Sequence, residues 1–401
     1  MKILFLTSHF PYPMHSGGAL RAAGLIQGAA EAGHEIHLLS FTEQLPETSP
    51  LHEICAQIIT VAPPPRTLTD RLRDLLLTQR ADMGRRFWSE EALARMAQTI
   101  RQYGYDLVHA ESIEMAVYLL PLREIFPDLP LVYGSLNAEA RLQRSAFLAE
   151  LGQPKRFPVA GYSLIQWRRL YRLERQICRV ADCVLAVSEP DREILAQQSA
   201  TPVHLVKNGI HVAPYLGFER SEALGEGAIV FTGSMDYRPN IDAALWFVHQ
   251  ILPLLVYPKP HVYIVGKKPS PRILALQGDP ALPVTVTGAV EEMSPYWTGS
   301  QVYIAPLRMG SGTRFKLLEA MATQCAIVST SIGAMGLDVT SGRELILADT
   351  AGAFAAAVDK LLGDAGLRAE IGKAGQDFVQ KHFDWSAITP HLLNAYNKIK
   401  R

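Results

Sequence analysis

The segment PLRMGSGTRFKLLEAMA, residues 306–322, places two cations and a glutamate directly after a glycine-rich turn. The apolar run before it predicts a strand, and the residues after Thr313 predict a helix. Arg314 and Lys316 fall in the first turn of that helix, where the helix dipole disfavours each cation by ~0.3–1 kcal/mol. A bound diphosphate would reverse that sign, and Glu319 one turn later is placed to accept hydrogen bonds from a ribose diol. The pattern therefore favours a nucleotide site over a solvated helix face.

A second small-residue turn lies near the start of the chain. Ser16, Gly17 and Gly18 separate the predicted strand KILFLTS from the helical pattern GALRAAGLIQGAAEAG. Glycines before a helix let backbone N–H groups approach an anion, and the helix dipole adds positive potential. The spacing is not GxGxxG, which makes a nicotinamide cofactor a weak interpretation. The alternative to an anion site is a purely structural turn, in which the glycines are needed only because they can adopt a positive φ.

The composition excludes several classes of protein. The 401 residues hold 39 Lys and Arg and 39 Asp and Glu, so no overall positive field would attract nucleic acid. The four cysteines form no CxxC pair, which favours reduced core thiols and a reducing compartment over a metal site. The first residues are typical of a buried strand rather than a signal peptide, and no apolar run is long enough to span a membrane.

Strand and helix patterns alternate twice along the chain. Short apolar runs such as EIHLLSF and DCVLAVS alternate with helical patterns up to residue 209, and a fresh series begins with AIVFTGS after an irregular stretch. We therefore expect two doubly wound α/β domains, 1–209 and 210–384. Open parallel sheets bind ligands at the carboxyl ends of their strands, so two such domains would face a central cleft.

Five segments together resemble the retaining nucleotide-sugar glycosyltransferases of family 4. They are FTGSMDYRPNIDAALWFV, VYIVGKKP, VTVTGAVEEMSPYW, VYIAPLRMGSGTRFKLLEAMATQCAIVSTSIGAMGLDV and FDWSAITPHLLNAY. The resemblance extends over nearly the whole chain and is most specific in residues 229–339. Within the family, the chain is similar to bacterial exopolysaccharide-assembly sugar transferases.

This resemblance implies a GT-B fold of two Rossmann-like domains, with the donor held by the second domain and the acceptor by the first. The helix 385–401 should pack back on the first domain. No metal and no cofactor besides the nucleotide-sugar substrate are implied. The family's ribose-binding glutamate falls on Glu319, and the other expected donor-binding residues are Gly17, Gly18, Gly233, Ser234, Ser311, Gly312 and Thr313.

The sequence departs from the family at several positions. Ser311 stands where relatives carry a glutamate near the transferred sugar, although Ser311 or Thr313 is suited to cap the following helix. The usual Gly-Arg and Lys of the donor loop are replaced by Gly233 with Ser234 and by Asn240. Arg314 and Lys316 are therefore the expected catalytic cations that offset the charge of the leaving diphosphate, with Arg238 a weaker candidate.

Polar residues follow two strands of the first domain. His109 lies in the strand pattern DLVHAES and is a candidate to position an acceptor hydroxyl, although a structural histidine is the alternative. Asn137 and Glu139 resemble the polar pair on the acceptor side of relatives. The family's acceptor histidine corresponds to Leu136, so that contact is not expected here.

A basic aromatic segment, residues 155–179, has seven Lys or Arg against one Glu and includes Phe157, Tyr162, Trp167 and Tyr171. It suits a peripheral contact of a cytoplasmic protein with the inner membrane and a lipid-linked acceptor, or else is a solvated helix that packs Trp167 inward. Residues 66–88 are basic to a lesser degree.

The resemblance thus implies an enzyme of polysaccharide biosynthesis, a metal-independent retaining hexosyltransferase that uses a nucleotide sugar and a glycan or lipid-linked glycan acceptor. A nucleotide-sugar 2-epimerase of the same fold and a donor-binding relative without turnover are the alternatives. Donor sugar, nucleotide base, acceptor, linkage and oligomeric state do not follow from residue spacing.

Overall fold

The computed structural model describes residues 1–14, 16–151, 157–258, 260–310 and 312–399. The chain divides into two compact units, Met1–Gly209 with Trp385–Arg401, and Ile210–Asp384. In the described residues, unit 1 has a seven-stranded sheet and unit 2 a six-stranded sheet, and helices connect the strands of both. The predicted α/β class with two parallel sheets is confirmed.

The strands of unit 1 are all parallel in the order β3-β2-β1-β4-β5-β6-β7. They are β1 Lys2–Thr7, β2 Glu35–Phe41, β3 Gln57–Val61, β4 Leu107–Glu111, β5 Leu131–Gly134, β6 Cys183–Ala186 and β7 Val203–Leu205. Its helices are α1 Gly17–Glu31, α2 Leu51–Ile54, α3 Leu68–Leu77, α4 Glu90–Tyr103, α5 Ile113–Ala116, α6 Leu119–Ile125, α7 Glu139–Leu151, α8 Phe157–Val180 and α9 Glu189–Ala196.

The strands of unit 2 are likewise parallel, in the order β10-β9-β8-β11-β12-β13. They are β8 Ala228–Thr232, β9 His261–Val265, β10 Val284–Gly288, β11 Val302–Ala305, β12 Ile327–Ser329 and β13 Ile346–Leu347. The helices are α10 Arg238–Trp246, α11 Pro271–Gln277, α12 Ser294–Gly299, α13 Phe315–Ala322, α14 Ala351–Gly363 and α15 Ala365–Phe383. The last helix of the chain, α16 Trp385–Ile399, belongs to unit 1.

Helices cover both faces of each sheet, so the strands are apolar on both faces. In β1, Leu4 and Leu6 point into one core and Ile3 and Phe5 into the core on the opposite face. This arrangement explains why the sequence shows continuous apolar runs rather than alternation. The four cysteines are free and buried, as expected for core thiols.

Two glycines of α1 let α16 pack closely against it. A Cβ on Gly24 would lie 1.8 Å from Trp385 Cε2, and one on Gly28 would lie 2.1 Å from Thr389 Oγ1. The spacing of four residues puts both glycines on one face of α1. The terminal helix therefore fits into a groove that larger residues would fill.

The strand order reverses once in each sheet, between β1 and β4 in unit 1 and between β8 and β11 in unit 2. At such a point the connections on either side run to opposite faces of the sheet and leave a crevice at the carboxyl ends of the strands. These two strand ends are where a ligand site is expected.

Candidate functional site

The turn after β11 is shaped by two glycines. Gly310 and Gly312 have φ of 117° and 79°, in the region that residues with a side chain rarely adopt. A Cβ on Gly310 would lie 2.4 Å from Nη2 of Arg314, so the absent side chain makes room for the guanidinium. Helix α13 begins at Phe315 with Arg314 as its N-cap residue and no side-chain cap. The expected cap by Thr313 is wrong, and Ser311 lies outside the described residues.

Arg314 is a cation without an anionic partner among the described residues. Its Nε and Nη2 are buried, and neither makes a hydrogen bond to any residue that the structure describes. Burial lowers the pKa of the guanidinium, and the nearby Tyr237 side chain opposes that shift. Arg308 in the same turn is different, because it binds Asp242 through Nε at 2.9 Å and Nη2 at 2.7 Å. Buried N–H groups of a charged side chain are costly to leave unpaired, so Arg314 is suited to an anionic ligand.

Lys316 and Glu319 lie one turn into α13 and pair with each other. The Nζ of Lys316 is 3.2 Å from Oε2 of Glu319, and the lysine side chain is 50% exposed. Glu319 is buried, which raises the pKa of its carboxyl group, while Lys316 and the Tyr215 hydroxyl oppose the shift. The lysine is therefore half accessible to a ligand, and the glutamate presents oxygen acceptors beside it.

The loop after β8 is held tightly by its own side chains. A Cβ on Gly266 would lie 1.6 Å from the Gly233 oxygen, so the loops after β8 and β9 are in direct backbone contact. The Ser234 hydroxyl donates to Asp236 at 2.6 Å, and Asn240 Nδ2 donates to the Ser234 oxygen at 3.0 Å. Asn240 thus closes the loop at the position where the resemblance implied a lysine.

Two exposed lysines that the sequence reasoning missed lie beside this loop. The Met235 N–H donates to the Lys267 oxygen at 2.9 Å, and Lys268 follows in a left-handed conformation with φ of 55°. The Ser234 hydroxyl chiefly, and the charges of Lys268 and Lys267 to a lesser extent, lower the pKa of Asp236. The adjacent lysines in VGKKP were the available signal, because they directly follow a strand end.

In unit 1, the glycines of the first turn belong to α1 itself. Gly17 and Gly18 are its first two residues, and the Ser16 side chain caps the helix by accepting from the Ala19 N–H at 3.2 Å. Neither glycine has a positive φ, so the alternative of a glycine-requiring turn is excluded. The first N–H groups of a helix have no acceptor within it and therefore point toward whatever lies beyond the terminus.

A cavity of about 180 Å³ adjoins this helix terminus at the point where the strand order reverses. Its lining includes Ser16 and Gly18 of the helix start, Thr7 at the end of β1, and Glu111 and Ser112 at the end of β4. The hydroxyl oxygens of Thr7 and Ser112 are buried without a hydrogen-bond partner among the described residues. A ligand hydroxyl or water in the cavity would satisfy them.

Sequence reasoning missed Thr7 and Ser112, although both stand where a strand of the sheet ends. Ser112 has φ of 78°, a strained value for a residue with a side chain. Strain of this kind persists where the surrounding structure enforces it, often at functional sites. The position after a strand end was the available signal, but the strain itself is visible only in the fold.

His109 is enclosed by protein, an environment unlike the one expected for a contact with an acceptor hydroxyl. The ring is fully buried, with Nδ1 2.5 Å from the Tyr396 hydroxyl and Nε2 2.9 Å from Glu111 Oε2. Both ring nitrogens are therefore engaged within the protein. The structural interpretation of this histidine, which the sequence left open, matches its environment.

Glu111 joins His109 to a buried arginine that the sequence did not single out. Arg21 Nε donates to Glu111 Oε1 at 2.6 Å, and both side chains are buried. Burial favours the neutral carboxyl group, but the charge of Arg21 and the hydrogen bond from His109 outweigh it and lower the pKa of Glu111. Arg21 Nη1 also donates to the Val206 oxygen at 2.8 Å. This network fixes the position of Glu111, which lines the cavity at the end of β4.

Asn137 and Glu139 lie together after β5, where the sequence predicted polar residues at a strand end. Asn137 Nδ2 donates to Glu139 Oε1 at 3.2 Å, and Glu139 N–H donates to Glu174 Oε1 at 2.8 Å. Burial raises the pKa of Glu139 to about 7, and the charges of Glu114, Glu174 and Asp191 contribute to the rise. At neutral pH this carboxyl group is therefore divided between the acid and the carboxylate.

The predicted site residues thus fall into three groups. Gly312, Thr313, Arg314, Lys316 and Glu319 lie at the start of α13, with Gly233 and Ser234 in the loop that leads to Tyr237 near Arg314. Gly17 and Gly18 border the cavity in unit 1, and Asn137 with Glu139 follow the next strand. Across the described ranges, no group of three or more His, Cys, Asp or Glu is arranged to hold a metal ion.

Two family models match the chain. One described as glycosyl transferases group 1 matches residues 226–364, and one described as glycosyltransferase family 4 matches residues 15–213. The phosphatidyl-myo-inositol mannosyltransferase of Propionibacterium freudenreichii is 27% identical over 238 residues, which are 56% of this chain and 58% of that protein.

Solved structures with the same fold span the whole chain. Sucrose-phosphate synthase from Thermosynechococcus elongatus has a TM-score of 0.73 at 20% identity, covering 100% of this chain and 99% of that chain. The Anabaena protein HepE in complex with UDP-glucose has a TM-score of 0.66 at 17% identity, covering 99% of this chain and 100% of that chain. These likenesses confirm the predicted GT-B fold.

Proposed function

Because this chain belongs to the group 1 and family 4 glycosyltransferases, we propose that it transfers a sugar from a nucleoside-diphosphate sugar to a hydroxyl of a glycan or lipid-linked glycan. The bond between the anomeric carbon and the donor phosphate oxygen breaks, and a bond to the acceptor oxygen forms with the same configuration. The acceptor proton passes to the departing phosphate, and the nucleoside diphosphate leaves. Such a reaction is a step of polysaccharide biosynthesis.

The observation that carries this proposal is the unpaired guanidinium of Arg314. Negative charge grows on the diphosphate as the glycosidic bond breaks, and a cation fixed in advance stabilises that charge at little cost of reorganisation. Arg314 is held against Gly310, and its buried Nε and Nη2 lack acceptors among the described residues. A diphosphate would supply those acceptors, so Arg314 is the proposed principal phosphate contact.

The remaining donor contacts surround Arg314 on the same turn and helix. The N–H groups near Gly312 and Thr313 and the start of α13 attract the phosphate oxygens, and Lys316 adds a second positive charge. Glu319 accepts hydrogen bonds from the ribose diol. Gly233 and Ser234 are proposed donor contacts from the loop after β8. The complex of HepE with UDP-glucose supports a uridine nucleotide as the first donor to test.

The acceptor is proposed to bind in unit 1. Glu139, with a pKa raised to about 7 by burial, and Asn137 can orient an acceptor hydroxyl near neutral pH. The unpaired hydroxyls of Thr7 and Ser112 offer further contacts to a polyhydroxyl ligand. The α1 terminus at Gly17 and Gly18 attracts an anionic group of either substrate.

Cationic side chains and helix termini are proposed to take the place of a metal ion. The metal independence of the reaction is tested by measuring turnover with EDTA and with added magnesium. Equal rates are expected in both, measured as nucleoside diphosphate released from UDP-glucose with and without glycan or lipid-linked acceptors. Turnover that vanishes with the chelator and returns with magnesium would overturn it.

The donor site is tested by UDP affinity of the Arg314→Gln variant, measured by isothermal titration calorimetry. We expect affinity to fall about ten- to hundredfold, because a charge-assisted hydrogen bond contributes ~1.5–3 kcal/mol. Arg343→Gln is the matched control in unit 2, since that side chain is 75% exposed. Equal affinity of the two variants would remove Arg314 from the phosphate site. Wild-type protein that binds no nucleotide sugar would overturn the function.

A further inference from the structure

Helix α3 in unit 1 has its apolar side facing outward. Leu68, Leu72 and Leu76, each one turn from the next, are 79%, 57% and 71% exposed, and Leu77 is 78% exposed. A helix on the surface of a globular protein ordinarily turns such residues toward the core and its charges toward water. The leucine stripe of α3, defined as Leu68, Leu72, Leu76 and Leu77, is therefore a surface that a partner should cover.

The opposite, polar side of α3 holds the helix in this orientation. Asp74 is buried and pairs with Arg66 at 3.1 Å and with Arg85 at 3.5 Å. Arg169 of α8 donates to the Asp74 and Leu75 oxygens at 3.2 and 2.8 Å. Turning the leucines inward would break these ion pairs and bury charges without partners, which is strongly unfavourable. The exposure of the stripe is thus fixed by the contacts beneath it.

The surroundings of the leucine stripe are positively charged, although the whole chain has a net charge of zero. Residues 66–86 contain six arginines and three aspartates. The adjoining helix α8 exposes Arg168, Arg172 and Arg175, and its glutamate, Glu174, is buried. The charge is therefore concentrated on this side of unit 1.

Helix α8 contains most of the basic aromatic segment singled out in the sequence, with residues 155 and 156 outside the described ranges. Trp167 stacks on Phe147 at 6.1 Å between ring centroids, so this ring packs against α7 as the alternative interpretation expected. Phe157 and Val159 at the start of α8 are 55% and 44% exposed. Exposed apolar residues and exposed basic residues thus occur together on α8, as they do around the leucine stripe of α3.

A cavity of about 410 Å³ opens next to the end of α3. Four arginines and one glutamate line it, together with an apolar wall that includes Leu120 and Leu173; the charged residues are Arg80, Arg85, Arg169, Arg172 and Glu124. Guanidinium groups over an apolar wall suit a ligand with a phosphate at one end and hydrocarbon at the other. Lipid headgroups have this chemistry.

We propose that the leucine stripe of α3 docks on an anionic phospholipid bilayer, with the leucines in the interfacial layer and the flanking arginines on the lipid phosphates. Among the described residues no helix is long and apolar enough to cross a membrane, so the contact is one of a helix lying in the interface. A second copy of the chain is the poorer occupant, because a symmetric contact would bring two arginine-rich surfaces together. This inference stands apart from the proposed glycosyl transfer.

The test is cosedimentation of the full chain with vesicles of phosphatidylcholine alone and of phosphatidylcholine mixed with phosphatidylglycerol. Wild type should bind the anionic vesicles more tightly, and less so at high salt. The variant Leu72→Gln/Leu76→Gln should bind about tenfold or more weakly, because it removes two apolar side chains at equal helix propensity. The control Leu254→Gln/Leu274→Gln alters two half-exposed leucines of unit 2 and should bind as wild type does.

Three results would overturn the proposal. They are no vesicle binding by wild type, equal binding by both double variants, and a wild-type dimer that the α3 variant dissociates without any vesicle binding. Light scattering detects the last of these. Thermal unfolding of each variant shows whether it is folded, and nucleotide affinity in solution should stay unchanged in all of them.

Discussion

The replacement Glu174→Gln tests how unit 1 tolerates a buried carboxyl group. Glu174 is fully buried; Oε1 accepts the Glu139 N–H at 2.8 Å, and Oε2 accepts Gln198 Nε2 at 3.1 Å. Burial raises its pKa from the ordinary 4.5 to about 7. The group therefore contributes its full stability below about pH 4.5, and that contribution is lost as the pH rises through about 7.

The size of the expected stability difference follows from the shift in the pKa of Glu174. One pKa unit corresponds to about 1.4 kcal/mol, so the cost of ionising Glu174 in the folded state reaches ~3–4 kcal/mol above neutral pH. An amide does not ionise and avoids this cost. Its N–H can also donate to Gln198 Oε1, which is buried without a partner among the described residues. We expect the variant to be as stable as wild type near pH 4.5 and more stable by ~3 kcal/mol near pH 8.

Urea unfolding across this pH range measures the difference, with hydrogen exchange of α8 amides reporting on unit 1 separately from unit 2. Glu193→Gln is the matched control, because Glu193 is exposed on α9 nearby. That variant should follow wild type at every pH. Stability curves of wild type and Glu174→Gln that run parallel from acid to neutral pH would refute the reasoning.

Two further replacements test the buried network and the glycine turn. Arg21→Met should destabilise unit 1 by ~3–5 kcal/mol, since it leaves Glu111 buried without its cation, and Arg21→Met/Glu111→Leu should lose less than the sum of the single changes. Urea unfolding measures both, and additive losses would contradict the pairing. Gly310→Ala should weaken UDP binding about tenfold or more, because the new Cβ would lie 2.4 Å from Arg314 Nη2 at a φ of 117°. Calorimetry showing unchanged affinity would separate this glycine from the donor site.

Strand composition was enough to predict the architecture, and the reason is physical. Each strand of a parallel sheet is covered on both faces, so runs such as KILFLT and AIVFT must be apolar throughout, and they stand out in the sequence. The same logic placed the candidate sites at strand ends, including the turn before Arg314. Strand β13, with two residues, was missed because so short a run carries no periodic signal.

The roles of individual side chains depend on contacts between residues that are far apart in the chain. His109 looked like a candidate acceptor contact, but its bonds to Glu111 and Tyr396 occupy both ring nitrogens. Tyr396 on α16 is 287 positions away in the chain, and no local sequence pattern predicts this contact. The same holds for Arg21, whose pairing with Glu111 exists only after β1 and β4 are side by side.

By itself, the sequence determined which elements form, that they make two parallel-sheet units, and that a cation-flanked turn follows β11, because burial and glycine geometry act locally along the chain. Tertiary structure alone decided that Nε and Nη2 of Arg314 lack a hydrogen-bond partner among the described residues, that both ring nitrogens of His109 are engaged within the protein, and that the leucines of α3 face outward. These properties are set by what surrounds each side chain. A charge, a ring nitrogen or an apolar face is free or engaged only in relation to neighbours that folding brings together.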